Sequence, residues 1–494
     1  MQGSRLDSRP MLRLLSDDDV DRIHRAAMRI LEKTGVMFRS REALAVLGAA
    51  GARIDEGQGR AMFPPEMVME AVSKCPSSLQ LYTSGGSPAA FVGGEESHYA
   101  PGSTALNFGD GDGRDAREAT SADLRDIARL VEGLPNIHLQ STAVVACDVP
   151  REIADLYRLY IVLCNSSKPV ITGAFSVQGL VDMKDMLSAV AGGDDALRAK
   201  PFAVFDVCPS PPLMWTEISA GNIMDCARFG LPLELISMPL SGANAPCTVA
   251  GSVVQHTAET LSGIVLAQAV KEGATVIYGG APSLFDMRHG TTPMGSVETM
   301  MIDICYAQMG KFYGLPTHTY SATTDAKVLD MQAGLESSLG SVLCALAGIN
   351  IISGPGMYDF LTCQSLVKLA VDNEICGMVY RFTAGVDASE EAMASELIES
   401  AGPGANFLSS PHTLRFFKGE QYVPGPAIDR RDRKRWLSKG GKDTIARAAD
   451  VVSRILGSPA APVLTDEARS RLDEAVRRIA RRHGIRSLPL GPDL

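Results

Sequence analysis

The chain is poor in aromatic residues and has no excess of positive charge. Aromatic residues make up 6% of its 494 residues, and 47 Lys and Arg stand against 57 Asp and Glu, giving a formal net charge of −10. The sequence pI is about 5.4. Nucleic acids and anionic membrane surfaces favour basic partners, so the acidic balance argues against both.

Several other features are missing. No run of 18 apolar residues occurs, and the N-terminal segment lacks the apolar core of a signal peptide. The ten cysteines form no CxxC pair and no Cys/His cluster with zinc spacing, and the histidines are scattered singly. We therefore expect a cytoplasmic protein with reduced thiols and neither a membrane span nor a bound metal.

Helices and short apolar strands alternate from Ser121 onward, a pattern that is typical of a (β/α)8 TIM-type barrel. An open doubly wound sheet is the alternative, but the turn after the first strand reads CDVPRE and not GxGxxG. We predict an irregular α+β extension over residues 1–120, the barrel over 121–420 and a helical tail over 421–494. The eight predicted strands are His138–Ala146, Val170–Gly173, Phe202–Val207, Leu233–Met238, Ala274–Gly279, Thr317–Tyr320, Asn350–Ser353 and Asn406–Ser409.

The clearest unit of this pattern is the stretch 242–289. A glycine-rich turn leads into a long helix, and the buried strand Ala274–Gly279 opens into a long loop, Ala281–Gly295. A loop of that length after a buried strand is uncommon unless it is functional. It carries Phe285, Asp286, Arg288 and His289.

Barrel enzymes place their sites at the C-terminal ends of the strands, so the topology selects candidate residues without any motif. His318 and Tyr320 alternate to the same side of their strand. The full set at the strand ends is Cys147, Asp148, Phe175, Asp206, Cys208, Met238, Tyr278, Phe285, Asp286, Arg288, His289, His318, Tyr320, Asp325, Lys327, Gly354, Gly356, Met357, Tyr358, Asp359 and His412.

The composition of this set narrows the chemistry. No lysine lies in the C-terminal half of a strand, which disfavours a Schiff-base aldolase. Aromatic rings recur at the mouth, and rings facing a common space attract quaternary ammonium groups. Taken singly, each ring is more often a core residue. Asp325, Gln332 and Glu336 share one helix face that either faces the mouth or is a solvated outer surface.

Nine stretches together resemble the trimethylamine methyltransferase superfamily. The resemblance implies a (β/α)8 barrel that passes a methyl group from a methylamine to the cobalt of a separate, cognate corrinoid protein, without a tightly bound cofactor of its own. The stretches are CPSPPL (208–213), GANAPCTVAG (242–251), AETLSGIVLAQ (258–268), GATVIYGGAPSLFDMRHG (273–290), GSVETMM (295–301), TTDAKVLDMQAGLE (323–336), GINIISGPGMYD (348–359), LVKLAVDNEI (366–375) and SSPHTLRFF (409–417).

The archaeal trimethylamine enzymes of this superfamily carry pyrrolysine, whereas this chain holds only the twenty standard residues. The resemblance therefore points to the non-pyrrolysine branch, which is associated with quaternary amines such as glycine betaine. The segment 353–358 is where we expect the position that matches pyrrolysine. A quaternary nitrogen already carries positive charge, so a neutral tertiary amine can leave when Co(I) attacks the methyl group, and binding and positioning dominate.

These considerations give a site hypothesis. Tyr278, Phe285 and Tyr320 are expected to cage the ammonium group, with Asp286 or Glu336 beside it as the catalytic carboxylates. Arg288 is expected to bind a betaine carboxylate bidentately, with Lys327 and His289 as second choices. The remaining predicted substrate contacts are Gln332, Gly356, Met357 and Tyr358.

Three other functions stay open at this point. The substrate is either a quaternary amine or another methylated tertiary amine. A barrel transferase or lyase of different chemistry would share only the scaffold, because a fold does not determine a reaction. A non-catalytic protein that binds quaternary amines is the third alternative. The oligomeric state is open, with a homo-oligomer included.

Overall fold

The computed structural model describes residues 10–109 and 111–491 of the chain. A 3-10 helix over Arg151–Ile153 precedes the fifth α-helix. The α-helices are α1 (Asp17–Lys33), α2 (Arg41–Ala49), α3 (Pro65–Ser73), α4 (Ser121–Gly133), α5 (Ala154–Asn165), α6 (Val177–Ala191), α7 (Asp194–Ala199), α8 (Glu217–Phe229), α9 (Val249–Val270), α10 (Val297–Phe312), α11 (Met331–Leu346), α12 (Leu366–Thr383), α13 (Glu390–Met393), α14 (Ser395–Ala401), α15 (Pro411–Glu420), α16 (Arg433–Ser438), α17 (Thr444–Gly457) and α18 (Asp466–Arg482).

The strands are short, most of them two to five residues long, and they belong to five sheets. They are β1 (Val36–Phe38), β2 (Arg53–Asp55), β3 (Arg60–Met62), β4 (Ser78–Tyr82), β5 (Pro88–Gly93), β6 (His98–Ala100), β7 (Asn107–Gly109), β8 (Ala116–Glu118), β9 (Gln140–Ser141), β10 (Val170–Thr172), β11 (Ala203–Val207), β12 (Met214–Trp215), β13 (Leu233–Ser237), β14 (Leu240–Ser241), β15 (Val276–Gly280), β16 (Ser283–Leu284), β17 (Thr317–Tyr320), β18 (Ile351–Ser353), β19 (Met357–Tyr358) and β20 (Cys363–Gln364).

Eight parallel strands form the central sheet, in the order β6-β18-β17-β15-β13-β11-β10-β9. The backbone N–H of Leu139, just before β9, donates to the carbonyl oxygen of Tyr99 in β6 at 3.1 Å. This bond brings the two edge strands of the sheet together. The predicted TIM-type barrel is therefore confirmed, with helices between successive strands on its outer side.

The prediction of the eighth strand at Asn406–Ser409 is wrong. Those residues form an irregular, mostly exposed segment, and the eighth position is taken by β6 from the N-terminal part of the chain. His98 in β6 pairs with Ile351 in β18 in parallel register. A three-residue strand has too little periodicity to stand out in a sequence. The divisions at residues 121 and 421 stay predictions, and β6 belongs to the barrel sheet although it precedes the first of them.

Alternation along the strands fills the barrel interior in layers. Its base holds an apolar cluster that includes Val204, Ile277 and Ile351 together with four residues of the β4–β5 hairpin. This hairpin is hydrogen-bonded to segments directly preceding barrel strands, for example through Tyr82 N–H to the Pro201 carbonyl at 3.0 Å. The hairpin therefore covers the N-terminal end of the barrel and leaves the C-terminal end for a site.

The extensions pack on the outside of the barrel. Helix α1 begins at a capping box formed by Ser16 and Asp19 and packs on α9. In the tail, α17 packs on α12 and α4. Helix α18 packs on α6 and buries Leu472, Val476 and Ile479, the residues that share one face of its sequence.

Candidate functional site

A cavity of about 490 Å³ lies at the C-terminal ends of the barrel strands. Its size falls within the roughly 300–1,000 Å³ that small-molecule sites usually occupy. The residues that line it come from the ends of most strands and from α5, and they include Thr104, Arg158, Phe175, Asp206, Cys208, Ile236, Met238, Ala281, Tyr320 and Leu361.

Arg158 reaches this cavity from α5 and is 1% exposed. Its Nη1 donates to Thr104 Oγ1 at 3.3 Å and to the Thr142 carbonyl at 3.2 Å, and its guanidinium lies 4.6 Å from the centre of the Phe175 ring. Its Nε is buried without a partner. Burial lowers the pKa of the guanidinium to about 10, partly offset by the negative charges of Asp155 and Asp206. Arg158 remains charged at neutral pH.

Two acids, the half-buried Asp206 and the buried Glu234, lie side by side next to this cation. Asp206 of β11 and Glu234 of β13 are direct neighbours in the parallel register, so their side chains lie on the same face of the sheet. Burial raises the pKa of Asp206 well above its usual range, and the negative charge of Glu234 raises it further. Burial raises the pKa of Glu234 to about 7. The pair therefore holds at least one proton at neutral pH.

Strand β17 supplies the groups around the acid pair. The Tyr320 hydroxyl donates to Asp206 Oδ2 at 3.1 Å, and His318 Nδ1 lies 2.9 Å from Glu234 Oε2. On its other side, His318 Nε2 lies 2.8 Å from Ser353 Oγ. Burial lowers the pKa of His318 to about 4, so the imidazole is neutral at physiological pH. The predicted alternation of His318 and Tyr320 to one side of their strand is confirmed, because both face the barrel interior.

The loop after β15 that dominates the sequence forms a surface cluster. Asp286 accepts hydrogen bonds from Arg288 Nη2 at 2.7 Å and Nε at 3.1 Å, and its carboxylate lies 3.3 Å from His289 Nδ1. These bonds hold the pKa of Asp286 well below its usual range. The Arg288 side chain is 82% exposed. These three predicted site residues bond to one another and do not line the cavity.

Two of the predicted aromatic residues also lie away from the cavity. Tyr278 points to the outer face of the barrel, where its hydroxyl donates to Thr257 Oγ1 of α9 at 3.0 Å. The alternation of β15 directs Tyr278 outward because Ile277 fills the interior. Phe285 is half-buried in the β15 loop, and its backbone N–H donates to the Ser241 carbonyl. Of the three rings predicted as a cage, only Tyr320 lines the cavity.

The polar residues after β17 hold the loop in place. Glu336 Oε2 accepts from Thr324 Oγ1 at 2.5 Å and from the Asp325 backbone N–H at 2.7 Å. Its other oxygen accepts from Gln332 Nε2 at 2.9 Å, and Lys327 donates to the Asp325 carbonyl. Glu336, Gln332 and Lys327 thus stabilise the loop after β17 through hydrogen bonds and do not line the cavity.

The segment after β18 forms the wall behind the cavity. Gly356 has φ +86°, and its N–H donates to Asp372 Oδ2 at 2.7 Å. Met357 is buried against Gly102, where an added Cβ would overlap the Met357 sulfur. The Tyr358 hydroxyl donates to the Gly113 carbonyl at 3.2 Å. These three predicted residues support the lining segment that follows Gly102 without lining the cavity themselves.

Arg158 and Glu234 are the site residues that sequence reasoning missed. Glu234 left a usable signal, because it is a carboxylate inside the otherwise apolar strand LELIS. Arg158 left a similar signal as the one basic residue of α5, whose first ten residues are all buried. In the part of the chain that the structure describes, no group of three or more His, Cys, Asp or Glu is arranged to hold a metal.

Comparisons with known proteins agree with the fold. A family model described as trimethylamine methyltransferase (MTTB) matches residues 4–484. Glycine betaine methyltransferase of Desulfitobacterium hafniense strain Y51 is 31% identical over 465 residues, which are 94% of this chain and 96% of that protein. Trimethylamine methyltransferase MttB of Methanosarcina barkeri is 33% identical over 455 residues, 90% of each chain.

The solved structure of monomethylamine methyltransferase (MtmB) from Methanosarcina barkeri matches this chain with a TM-score of 0.54 and 14% identity. The match covers 96% of this chain and 90% of that one, and it supports the barrel fold. Both relatives are methyltransferases, and each match covers at least 90% of both chains. The chain therefore belongs to the trimethylamine methyltransferase family.

Proposed function

We propose that the protein transfers a methyl group from a small quaternary amine of betaine type to the Co(I) of a separate corrinoid protein. The observation that carries this proposal is one cavity lined both by the Arg158 cation and by Asp206, the direct neighbour of Glu234. A betaine carries both a positive and a negative charge within a few atoms. The glycine betaine methyltransferase relative supports the same substrate class.

The positive end of the substrate fits the acidic part of the cavity. Asp206 lines the cavity, and the negative charge that it shares with Glu234 attracts an ammonium group. The Tyr320 ring lies at the same place and offers a π face, which adds roughly 0.5–2 kcal/mol for a cation. A quaternary ammonium cannot donate a hydrogen bond, so charge and rings are the contacts that it requires.

The negative end of the substrate fits Arg158. Arg158 lines the cavity, and a planar guanidinium can donate two parallel hydrogen bonds to a carboxylate. Trimethylamine has no carboxylate and would leave this buried cation uncompensated beside a second positive charge. We therefore assign to Arg158 the carboxylate contact that the sequence suggested for Arg288, which is exposed and already paired with Asp286.

The corrinoid belongs to the partner protein and supplies the nucleophile that accepts the methyl group. The chain's own residues bind the substrate, point one methyl group toward the open end of the barrel and keep water from the reacting carbon. The covered base of the barrel leaves the C-terminal end as the side for the acceptor. All ten cysteines are unpaired, which supports the proposal of a reducing, cytoplasmic location.

The test mixes the protein with a corrinoid protein reduced to Co(I) and, in parallel, with cob(I)alamin alone. Glycine betaine, a longer betaine and trimethylamine are offered in turn, and the methyl-Co(III) spectrum is followed. We expect methyl transfer from a betaine and at least tenfold less from trimethylamine. Transfer from trimethylamine but from no carboxylate-bearing amine would overturn the substrate assignment. Tight betaine binding without transfer would favour a non-catalytic binding protein.

A further inference from the structure

The Asp206–Glu234 pair has an arrangement that binding a cation alone does not require. A single carboxylate would hold an ammonium group, yet two acids lie on neighbouring strands and face each other. Asp206 Oδ1 and Glu234 Oε1 are buried and have no hydrogen-bond partner among the described residues, while His318 Nδ1 lies 2.9 Å from Glu234 Oε2. A proton shared between the two carboxyl groups would satisfy one oxygen of each acid, and Asp206 lines the cavity.

The surroundings favour a pair that carries one proton and one negative charge. Arg158 from α5 is the nearby cation, and Tyr320 from β17 donates a hydrogen bond to Asp206 Oδ2, which favours the ionised form of this acid. His318 from β17 is neutral beside Glu234. The Cys208 thiol, directly after β11, stays protonated because burial raises its pKa. The pair can therefore attract a cation and still hold a transferable proton.

We propose that the Asp206–Glu234 pair donates this proton to the tertiary amine that remains in the cavity after the methyl group has departed, an inference that rests on the proposed function. The C–N bond breaks with its electron pair left on nitrogen, and the methyl carbon bonds to the acceptor. An O–H bond of the pair then breaks as an N–H bond forms on the amine. The pair takes up a proton from solvent once the product has left.

The consequence of this step is that methyl transfer becomes one-way within the complex. A neutral tertiary amine keeps the lone pair through which it can take the methyl group back, whereas an ammonium product has none. Tertiary amines invert readily, so the lone pair is not confined to the side from which the methyl group left. Asp206 and Glu234 thus become catalytic residues that act after the bond to carbon has broken.

The variant Glu234→Gln separates proton donation from cation binding. The substituted amide removes the acidic proton but leaves Asp206 to carry one negative charge, so the net charge of the wild-type pair is retained. We expect glycine betaine affinity, measured by calorimetry, to stay within twofold. In a single turnover, the fast phase of methyl-Co(III) formation should fall at least twofold in amplitude and be followed by a slow rise. A merely structural role would not split the reaction in this way.

The pH dependence provides a second readout. In the wild type, kcat should fall as pH rises above neutrality, because the doubly ionised pair has no proton to give, and this alkaline limb should be absent in Glu234→Gln. Asp206→Asn should behave alike if Glu234→Gln folds poorly, since Glu234 then carries the single charge. The matched control is Asp303→Asn, which removes a buried acid of raised pKa on α10, away from the cavity.

Each outcome decides between the two proposals. A Glu234→Gln enzyme with the wild-type amplitude and alkaline limb would overturn proton donation and leave the proposed function intact. Variants that bind no betaine would show that both acids serve cation binding and would also overturn it. Absence of methyl transfer in the wild type with every amine would overturn the proposed function and this inference together.

Discussion

Two of the places where arginine and aspartate lie near each other differ in what they leave for a ligand. In the loop after β15, Asp286 and Arg288 bond to each other at the surface. In the barrel, Arg158 is buried and Asp206 half-buried, and among the described residues Arg158 Nε and Asp206 Oδ1 have no hydrogen-bond partner. Side chains whose charges and hydrogen bonds are already paired bind a substrate only weakly. A buried charge with an unused atom marks the site better than a polar loop does.

The largest expected effect concerns stability in the barrel. The pKa of Glu234 is raised to about 7, so the folded state holds a proton that the unfolded chain loses near pH 4.5. Its stabilising contribution is full below that value and is lost as pH rises through about 7. The amide of Glu234→Gln does not titrate, so the variant does not lose this stability. The difference in the free energy of unfolding, variant minus wild type, should therefore increase by about 3 kcal/mol from pH 4 to pH 8.

Urea unfolding of both proteins across this pH range measures the difference between them. Asp286→Asn, which removes a surface carboxylate, is the matched comparison. If the stability of Glu234→Gln and that of the wild type changed in parallel with pH, the pKa of Glu234 would be the same in the folded and unfolded protein. The barrel acid would then differ from the surface acid in position only.

The second prediction compares the two arginines directly. Arg158→Gln should lower kcat/KM for glycine betaine about 100-fold, because losing a buried partner of a carboxylate costs about 3 kcal/mol. Arg288→Gln should stay within twofold, since its guanidinium is 82% exposed. Initial rates of methyl-Co(III) formation measure both. A larger loss for Arg288→Gln than for Arg158→Gln would show that the substrate carboxylate binds in the β15 loop and not in the barrel cavity.

A smaller effect is expected from the hydroxyl of Tyr320. Tyr320→Phe removes the hydrogen bond to Asp206 and should weaken glycine betaine binding about tenfold at pH 7. Because that bond favours the ionised acid, its loss raises the pKa of Asp206, and the defect should shrink at pH 9. Calorimetry at both pH values tests this. Tyr278→Phe, the same change on the outer face of the barrel, should leave binding within twofold.

The smallest effect belongs to the surface cluster. The pKa of Asp286 is lowered by its bonds to Arg288, so any stabilisation is present at neutral pH and is lost as pH falls through the acid range. The Arg288 side chain is 82% exposed, so solvent screens its interaction with Asp286, and Asp286→Asn should shift Tm by no more than about 1 °C at pH 7. Thermal unfolding at pH 7 and pH 3 measures it. A shift of several degrees would mean that this loop is a structural anchor.

The barrel could be predicted from the sequence because periodicity repeats over its whole length. Seven of the eight strands lie where helix and strand patterns alternate, and alternation also placed His318 and Tyr320 on the inner face. The eighth strand, His98–Ala100, has only three residues and follows no helix of the repeating pattern. Its place is decided by pairing with β18, a contact between distant parts of the chain.

The site was harder to predict because its members are ordinary residues inside regular elements. The rule of strand ends selected Phe175, Asp206 and Tyr320, which line the cavity. The length of the loop Ala281–Gly295 favoured Asp286, Arg288 and His289 as site residues, but these residues bond to one another. Arg158 is the one basic residue of a buried helix, and its orientation depends on the packing of α5 against α4 and α6. Nothing local in the sequence determines that packing.

The hairpin β4–β5 has a consequence for the order of events under the proposed function. The hairpin covers the N-terminal end of the barrel, so the cavity opens only toward the C-terminal end. The amine and the partner that takes its methyl group then share one rim. The amine must enter before the partner covers the rim, and the demethylated product must wait beneath it until the partner withdraws. A product held that long beside a fresh methyl donor is exposed to the reverse reaction.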